Sequence, residues 1–371
     1  MSKSRIETYD PYDFRFSRVG SFLYQVYFKH NNSLVLGIIC ILQILTPFWR
    51  LFGIIKRRSY PILDAFELRR AFLTRRIDST AMDRLIAKGV QSKNGISFGL
   101  GVKLPINDKI TYDSNATFTT ITIYVYILLA ENEQLIKVFP KYWNVLDHIE
   151  KYFIHDIDFT EYGDNVFASY SRNKDRIVLN SSAYVLRVYS DIKKRQSKNY
   201  NANKNLIDDR IERLFLSISQ TQKENGAWPY AIDSPSFTDC LHSAFIIESL
   251  IYSDVTRELS SKLINRNLSY LKKNHFDHNI KLYYRYPTNQ KGFKGILNKF
   301  QISLYDNVEM YNVLKLLNMD QEAKELKKAI LEKFGEDYVF RNNILIPFKH
   351  GRNLERWGLC QKRFYFEYHN N

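Results

Sequence analysis

Cysteine is scarce in this 371-residue chain: Cys40, Cys240 and Cys360 are the only three, widely spaced and odd in number. That argues against a disulfide framework and for a reducing compartment. Alternating strand patterns are also few and short from about residue 80 onward, which leaves an all-α class. Several motifs are missing. The glycines Gly95, Gly99 and Gly101 of GISFGLGVKL lack a following Lys-Ser/Thr or a dinucleotide-binding pattern, so they mark a loop. Neither a Gly-x-Ser-x-Gly elbow nor a His-Glu-x-x-His pair occurs. No secretory signal is visible, because the first thirty residues are polar and aromatic, without a short apolar core and small-residue cleavage site. The expected location is the cytoplasm, with peripheral attachment to the inner membrane as its extension.

Acidic residues are in deficit. Lys and Arg number 54 against 39 Asp and Glu, a formal charge of +15 that attracts nucleic acid, anionic lipid or acidic polysaccharide. Arg50, Lys56, Arg57, Arg58, Arg69, Arg70, Arg75 and Arg76 concentrate it in one segment. In a second, Lys272, Lys273, Lys281, Arg285, Lys291, Lys294 and Lys299 interleave with Tyr283, Tyr284 and Tyr286. No helix-turn-helix, RNA-recognition or zinc-finger pattern accompanies them, so nucleic acid is not an expected partner.

What the chain does have is a globular balance of 45% hydrophobic and 25% charged residues, enough for one large core or two ordinary ones. Aromatics reach 15%, mostly Tyr and Phe. They suit an aromatic-lined groove, although AT-rich codon bias also enriches Tyr alongside Ile, Lys and Asn. The run LVLGIICILQILTPFW, residues 34–49, is nearly continuous apolar sequence, but it is shorter than the ~20 residues of a spanning helix. Followed by Lys56-Arg57-Arg58, it fits a segment lying in the inner leaflet. The alternatives are burial in the core or against a partner, and a true span.

From about residue 80 the chain reads as amphipathic helices in a loose repeat. Five stretches share a polar loop, a polar residue at the helix mouth and an apolar helix: TYDSNATFTTITIYVYILL, RIVLNSSAYVLRVYSDI, FTDCLHSAFIIESLIY, SLYDNVEMYNVLKLL and NLERWGLCQKRFYFEY. Their mouth residues, Asn115, Asn180, Asp239, Asp306 and Arg356, recur at intervals of about 60 residues, room for one helical hairpin each. Between them lie amphipathic partners such as EQLIKVFPKYWNVLDHIEKYF, LIDDRIERLFLSISQTQ and ELSSKLINRNLSYLKK. Repeated hairpins of this length predict an α/α toroid over residues 80–371, preceded by an amino-terminal helical segment, 1–79. In a toroid the inner helices form a ring whose N-termini open at one end, where the mouth residues converge. An Asn or Asp there also caps a helix with no further role.

The segment QTQKENGAWPYAIDSPSFTDCLHSAFIIESL resembles the signature of VpsJ-like polysaccharide-biosynthesis proteins, where a Gly-Ser-Trp-x-Tyr-Gly turn precedes Ile-Asp-x-Phe-His-Thr. The stretches YDPYDFRFSRVGSFLYQVYF, FASYSRNKDRIVLNSSAYVL, SLYDNVEMYNVL and ERWGLCQKRFYFEY extend the likeness over nearly the whole chain. Departures are Ala231 for a common Gly, Leu241 for Phe, and Asn307 in an Asp-Ile-His region that here lacks its His. The resemblance implies an α/α toroid associated with surface-polysaccharide synthesis.

Three chemistries follow from such a ring. For carbohydrate processing of the lyase, hydrolase or uronyl epimerase type, Asp239 and His242 share one helix face at i and i+3 and divide the proton transfer. Asp306 is then the second carboxylate, and a pair at glycosidase spacing supports bond cleavage. Trp228 and Tyr230 form a sugar-stacking wall, Arg285 or Arg356 holds a substrate carboxylate bidentately, and Asn115, Asn180, Tyr284 and Trp357 complete the binding set. A zinc site built from Asp239, Cys240, His242 and Cys360 is disfavoured, since adjacent helical residues diverge by about 100°. No metal and no cofactor are expected. The non-catalytic alternative is a basic toroid that holds an acidic polymer or scaffolds glycosyltransferases, with the aspartates as caps. Expected partners are an acidic polysaccharide or lipid-linked oligosaccharide, the inner-membrane surface and glycosyltransferases of the same pathway.

Overall fold

The computed structural model describes residues 13–30, 32–45, 48–49, 52–53, 59–73, 75–105, 111–171, 177–233, 238–288, 302 and 304–334. Helices dominate. An amino-terminal group comprises α1 (Asp13–Phe16), α2 (Arg18–His30) and α3 (Ser33–Ile44). It keeps its own small cluster, in which Phe14 and Ile39 are buried against Leu23, Tyr24, Tyr27, Val35, Leu42 and Trp49. Next come α4 (Pro61–Leu73), α5 (Ser79–Ala87), α6 (Thr119–Ala130), the short α7 (Glu133–Ile136) and α8 (Pro140–Lys151). The remaining helices are α9 (Leu179–Lys194), α10 (Lys198–Thr221), α11 (Cys240–Tyr252), α12 (Arg257–Asn274), α13 (Leu304–Leu316) and α14 (Asp320–Phe334).

These last eleven helices close around one core that begins at Tyr60. Helices α4, α6, α9, α11 and α13 pack each against the next as an inner row. Helices α5, α8, α10, α12 and α14 return antiparallel outside them. The result is an all-α toroid of helical hairpins. Inner helices touch neighbours on both sides and an outer helix behind, so they are buried nearly all round; α11 buries ten of its thirteen residues. Outer helices show the ordinary amphipathic stripe, as in α8, where Tyr142, Val145, Leu146 and Ile149 face the core.

The structure adjusts two expectations, and a third falls on residues outside those described. Helix α4 lies upstream of residue 80 yet belongs to the main core, through Ile62, Leu63, Ala65, Leu68 and Phe72. The expected single helix EQLIKVFPKYWNVLDHIEKYF is divided, because Pro140 starts a new helix at α8 and α7 ends before it. The fifth inner stretch, with Arg356, Trp357 and Cys360, lies outside the described residues, as do Lys291, Lys294 and Lys299.

Among the described residues, four two-stranded antiparallel ribbons lie between outer helices and the inner helices that follow them: Val90–Gln91 with Ile96–Ser97, Leu104–Pro105 with Thr111–Tyr112, Phe159–Tyr162 with Asn165–Ala168, and Phe276–Asp277 with Leu282–Tyr283. More consequential are single backbone bonds that lace one repeat to the next. Thr119 N donates to Tyr170 O (3.1 Å), Leu179 N to Tyr230 O (3.1 Å) and Cys240 N to Arg285 O (2.9 Å). Each satisfies an otherwise orphaned first-turn N–H of an inner helix with a carbonyl from the following repeat's approach. The lacing fixes which residues of successive helices stand at equal height.

Candidate functional site

Asp239 is the N-cap of α11. Its Oδ1 accepts from the His242 backbone N–H at 2.7 Å, and its two carboxylate oxygens stand 2.7 and 2.6 Å from His242 Nδ1. One carboxylate therefore closes the helix end and fixes the imidazole. A carboxylate only accepts, so Nδ1 carries the proton and Nε2 is the basic nitrogen. Asp239 is buried, whereas the His242 side chain keeps 20% of its surface exposed. Tyr230 meets the imidazole edge-on, with ring centroids 4.4 Å apart.

Arg285 and Asp306 form the second pair. Arg285 donates through Nε and Nη2 to the two Asp306 oxygens at 2.9 and 2.6 Å. Asp306 is wholly buried in the first turn of α13. Beside it, Asn307 clamps the approach strand: its Oδ1 accepts from Tyr283 N at 2.7 Å and its Nδ2 donates to Tyr283 O at 3.0 Å. This amide holds residues 283–285 in place. The two pairs share one field. Burial raises the Asp306 carboxyl, Arg285 pulls it down, and the Asp239 charge raises it further, leaving it above its ordinary value. Asp239 moves the opposite way. Burial, its largest influence, works to raise it, but His242, Arg285 and the cap N–H together hold it below the usual aspartate range. Two carboxyls pushed apart in this manner are a recurring property of acid–base sites.

Several expected site residues take other positions. Trp228 is fully buried and donates from Nε1 to Ile218 O at 3.1 Å, so it is a core residue and not a sugar platform. Tyr284 is buried with its hydroxyl on Asp277 Oδ2 at 3.1 Å, directed to the ribbon Phe276–Tyr283. The bidentate edge of Arg285 faces the protein's own Asp306, not a substrate carboxylate. Neither aspartate stands open as one of a glycosidase carboxylate pair. Asn115 lies in an exposed turn ahead of α6, and Asn180 is buried inside the first turn of α9. By the lacing bonds, Asp239 corresponds to Val178 and Phe118, the residues just before Leu179 and Thr119. The mouth residues read from sequence are thus not in register with one another. Of that set, Tyr230, Asp239, His242, Arg285 and Asp306 come together.

The same register reveals what the sequence reading missed. The fifth residue after the laced one is Tyr124 in α6, Tyr184 in α9 and Phe245 in α11. Tyr184 and Phe245 have ring centroids 5.4 Å apart, Tyr305 of α13 joins Phe245 at 6.0 Å, and His242 stands 6.1 Å from Phe245. An aromatic tier therefore underlies the imidazole. Burial first, then the Glu248 and Glu309 charges, keep the Tyr184 phenol protonated, which suits a donor or contact surface and not a base. One turn deeper the buried Arg187 meets Glu248 at 2.9 Å and lies over the Tyr252 ring at 4.0 Å. The signal was present in sequence as the aligned runs LNSSAY and CLHSAF. Among the described residues no group of three His, Cys, Asp or Glu is placed to hold a metal ion, and Cys240 is a buried thiol whose pKa burial pushes well up.

No protein-family model matches the chain, and no curated protein matches its sequence. Among solved structures it is similar to a GH76 α-mannanase from Bacteroides thetaiotaomicron, with a TM-score of 0.52 at 10% identity over 84% of this chain and 88% of that one. It is similar also to a polysaccharide lyase, with a TM-score of 0.50 at 10% identity over 89% of this chain and 97% of that one. Both are α/α toroids, and the likeness establishes that fold for this chain.

Proposed function

We propose that this toroid processes an acidic, uronate-containing surface polysaccharide by proton transfer at His242, as a lyase or uronyl epimerase. The observation that carries the proposal is the division of labour at the mouth. Both aspartates are sequestered, one as cap and imidazole partner and the other on Arg285, while His242 keeps a partly open imidazole with its tautomer set and the Arg285 guanidinium is partly open beside it. Hydrolysis by two carboxyl groups requires both to reach the glycosidic bond. A positioned imidazole instead suits abstraction of the C5 proton, which a neighbouring carboxylate makes acidic.

In this reading His242 Nε2 takes the C5 proton of a uronyl residue and becomes imidazolium, stabilised by the Asp239 carboxylate. The electron pair moves onto the uronate carboxylate as an enolate, beside the cationic Arg285 that Asp306 anchors. Expulsion of the O4 substituent, which leaves with the proton returned by the His242 imidazolium, gives a C4–C5 unsaturated sugar; delivery of a proton from water to the opposite face of C5 gives the epimer, and His242 then releases its proton to solvent. Tyr230 and the tier Tyr124, Tyr184, Phe245 and Tyr305 supply the sugar-facing surface. The VpsJ-like sequence features support placing this step in capsule, exopolysaccharide or O-antigen assembly, at the inner membrane alongside glycosyltransferases, with polymer or lipid-linked oligosaccharide as substrate.

The test is incubation of acidic polysaccharide, taken from a strain lacking this gene, with the purified protein in D₂O, followed by NMR. Deuterium at a uronate C5 or a 4,5-unsaturated sugar, absent with His242→Gln, is the expected result. New reducing ends without unsaturation would replace elimination by hydrolysis. An unchanged spectrum would refute catalysis and leave a ring that holds its polymer.

A further inference from the structure

The amino-terminal helices leave unusual surface uncovered. Val19, Phe22, Leu34, Leu36, Ile38, Ile41, Phe48 and Phe52 are all exposed, with Leu34 at 72% and Phe22 at 63%. Elsewhere exposed large apolar side chains are scattered over α10, α12 and the loops, as surface singles usually are. Here they follow helix geometry. On α3 the stripe Leu34, Ile38, Ile41 faces outward, while Val35, Ile39 and Leu42 face the small cluster shared with α1 and α2. On α2 the outward stripe is Arg18, Phe22, Gln25 and Lys29, basic at both ends with Phe22 as its apolar member. The Arg15 guanidinium lies 4.7 Å from the Tyr24 ring, and Trp49 Nε1 donates to Leu42 O at 3.2 Å, so the group is internally tied. Helices α1 and α2 also pack against the ribbon strand Leu104–Pro105, which joins the group to the ring.

Charge identifies what covers this face. Between Asp13 and Asp64 the chain has no acidic residue, while it has Arg15, Arg18, Lys29, Arg50, Lys56, Arg57 and Arg58. A protein partner would ordinarily be matched by charges of both signs; a one-sided basic stretch around an apolar face matches an anionic lipid surface. Length sets the mode. The twelve residues of α3 reach about 18 Å, short of the ~30 Å of a bilayer's apolar layer. No helix among the described residues is long and apolar enough to cross a membrane.

We infer that α2 and α3 dock as an in-plane pair on an anionic bilayer, with Phe22, Leu34, Ile38 and Ile41 entering the acyl boundary and Arg18 and Lys29 at the headgroups. This deepens the location given in the proposed function and does not rest on the chemistry of the ring.

The experiment is flotation of the full chain with phosphatidylcholine vesicles, with and without phosphatidylglycerol, at low and high salt. Expected is binding that needs phosphatidylglycerol, weakens with salt and falls about tenfold or more in Ile41→Glu, with nothing detectable in Phe22→Glu/Ile41→Glu. Both sites are exposed, so the circular dichroism and melting of the variants should match the parent chain. Absence of binding by the parent chain, or binding that survives in the double variant, would overturn the inference. A dimer in sedimentation that the same variants abolish, without vesicle binding, would overturn it too and make a second copy the occupant. Activity on soluble polymer should persist in these variants, which separates failure of docking from failure of the chemistry.

Discussion

Asp239 carries two loads, and two substitutions separate them. Asp239→Asn keeps an oxygen that can cap α11, because Asn is as good a cap as Asp, but removes the negative charge behind His242. Asp239→Ala removes both. The lost cap costs about 1 kcal/mol, and the lost charge-assisted bond to the imidazole about 1.5–3 kcal/mol. At roughly 2 °C per kcal/mol for a chain of this size, Ala should lower the melting temperature by roughly 5–8 °C, and Asn, which keeps a neutral acceptor for the imidazole N–H, by about half of that or less. Activity should order differently. Loss of a positioned acid–base group costs on the order of 10²–10⁴ in rate, so both variants should fall by about 100-fold or more in the uronate C5 exchange assay. The lowered pKa adds a pH signature. A depressed carboxyl contributes stability that is complete above the ordinary aspartate value, about 3.9, and is lost as pH falls through its lower folded value. The parent chain should therefore lose stability at the acid end faster than Asp239→Asn does. Full activity in the Asn variant would refute the reasoning, since it would leave the carboxylate as a cap alone.

Trp228→Phe should lower stability by about 2 kcal/mol, by leaving the Ile218 carbonyl without its donor and a gap in the core, with KM unchanged; a raised KM at unchanged melting would return Trp228 to the substrate surface. Asn307→Ala should cost about 2 kcal/mol and speed amide exchange at Tyr283, and activity should fall with it because Arg285 loses its fixed approach; unchanged exchange there would remove Asn307 from the positioning argument. Arg187→Met should destabilise by about 3–5 kcal/mol, because it takes the ion-pair partner from the buried Glu248, and Glu248→Gln by less, because Glu131 stays 3.6 Å from the guanidinium; the double variant should lose less than the sum; additive losses in chemical denaturation would show that the pair is not coupled.

The hairpin repeat was legible because an inner helix must be apolar nearly all round and an outer one on a single stripe, and both patterns survive in the sequence. Pairing Asp239 with His242 was legible for a similar reason: at i and i+3 a helix leaves them one face. Register was not. It is set by single backbone bonds such as Leu179 N to Tyr230 O, which place no demand on side-chain type and leave no periodic mark. Polar residues near helix starts were aligned by type, so Asn180 was matched to Asp239 although Val178 is its counterpart. Trp228 misled for a different reason. An aromatic beside a turn serves a core or a ligand equally well, and only the Ile218 carbonyl behind it decides.

The choice between a capping Asp239 and a catalytic one dissolves once its contacts are counted. The cap bond and the imidazole bonds use different lone pairs of one carboxylate, so closing the helix also aims His242. Similar economy holds at the second pair. Asn307 fastens the approach strand through Tyr283, Cys240 N grips the Arg285 carbonyl, and Asp306 holds the guanidinium; three helix-start residues thereby fix one arginine beside Asp239. A site assembled from helix starts inherits the rigidity of the ring that closes it. That suits the proposed chemistry, in which a base and a cation keep fixed places while a polymer is repositioned past them, and in which His242 is the side chain assigned to take up and release the proton.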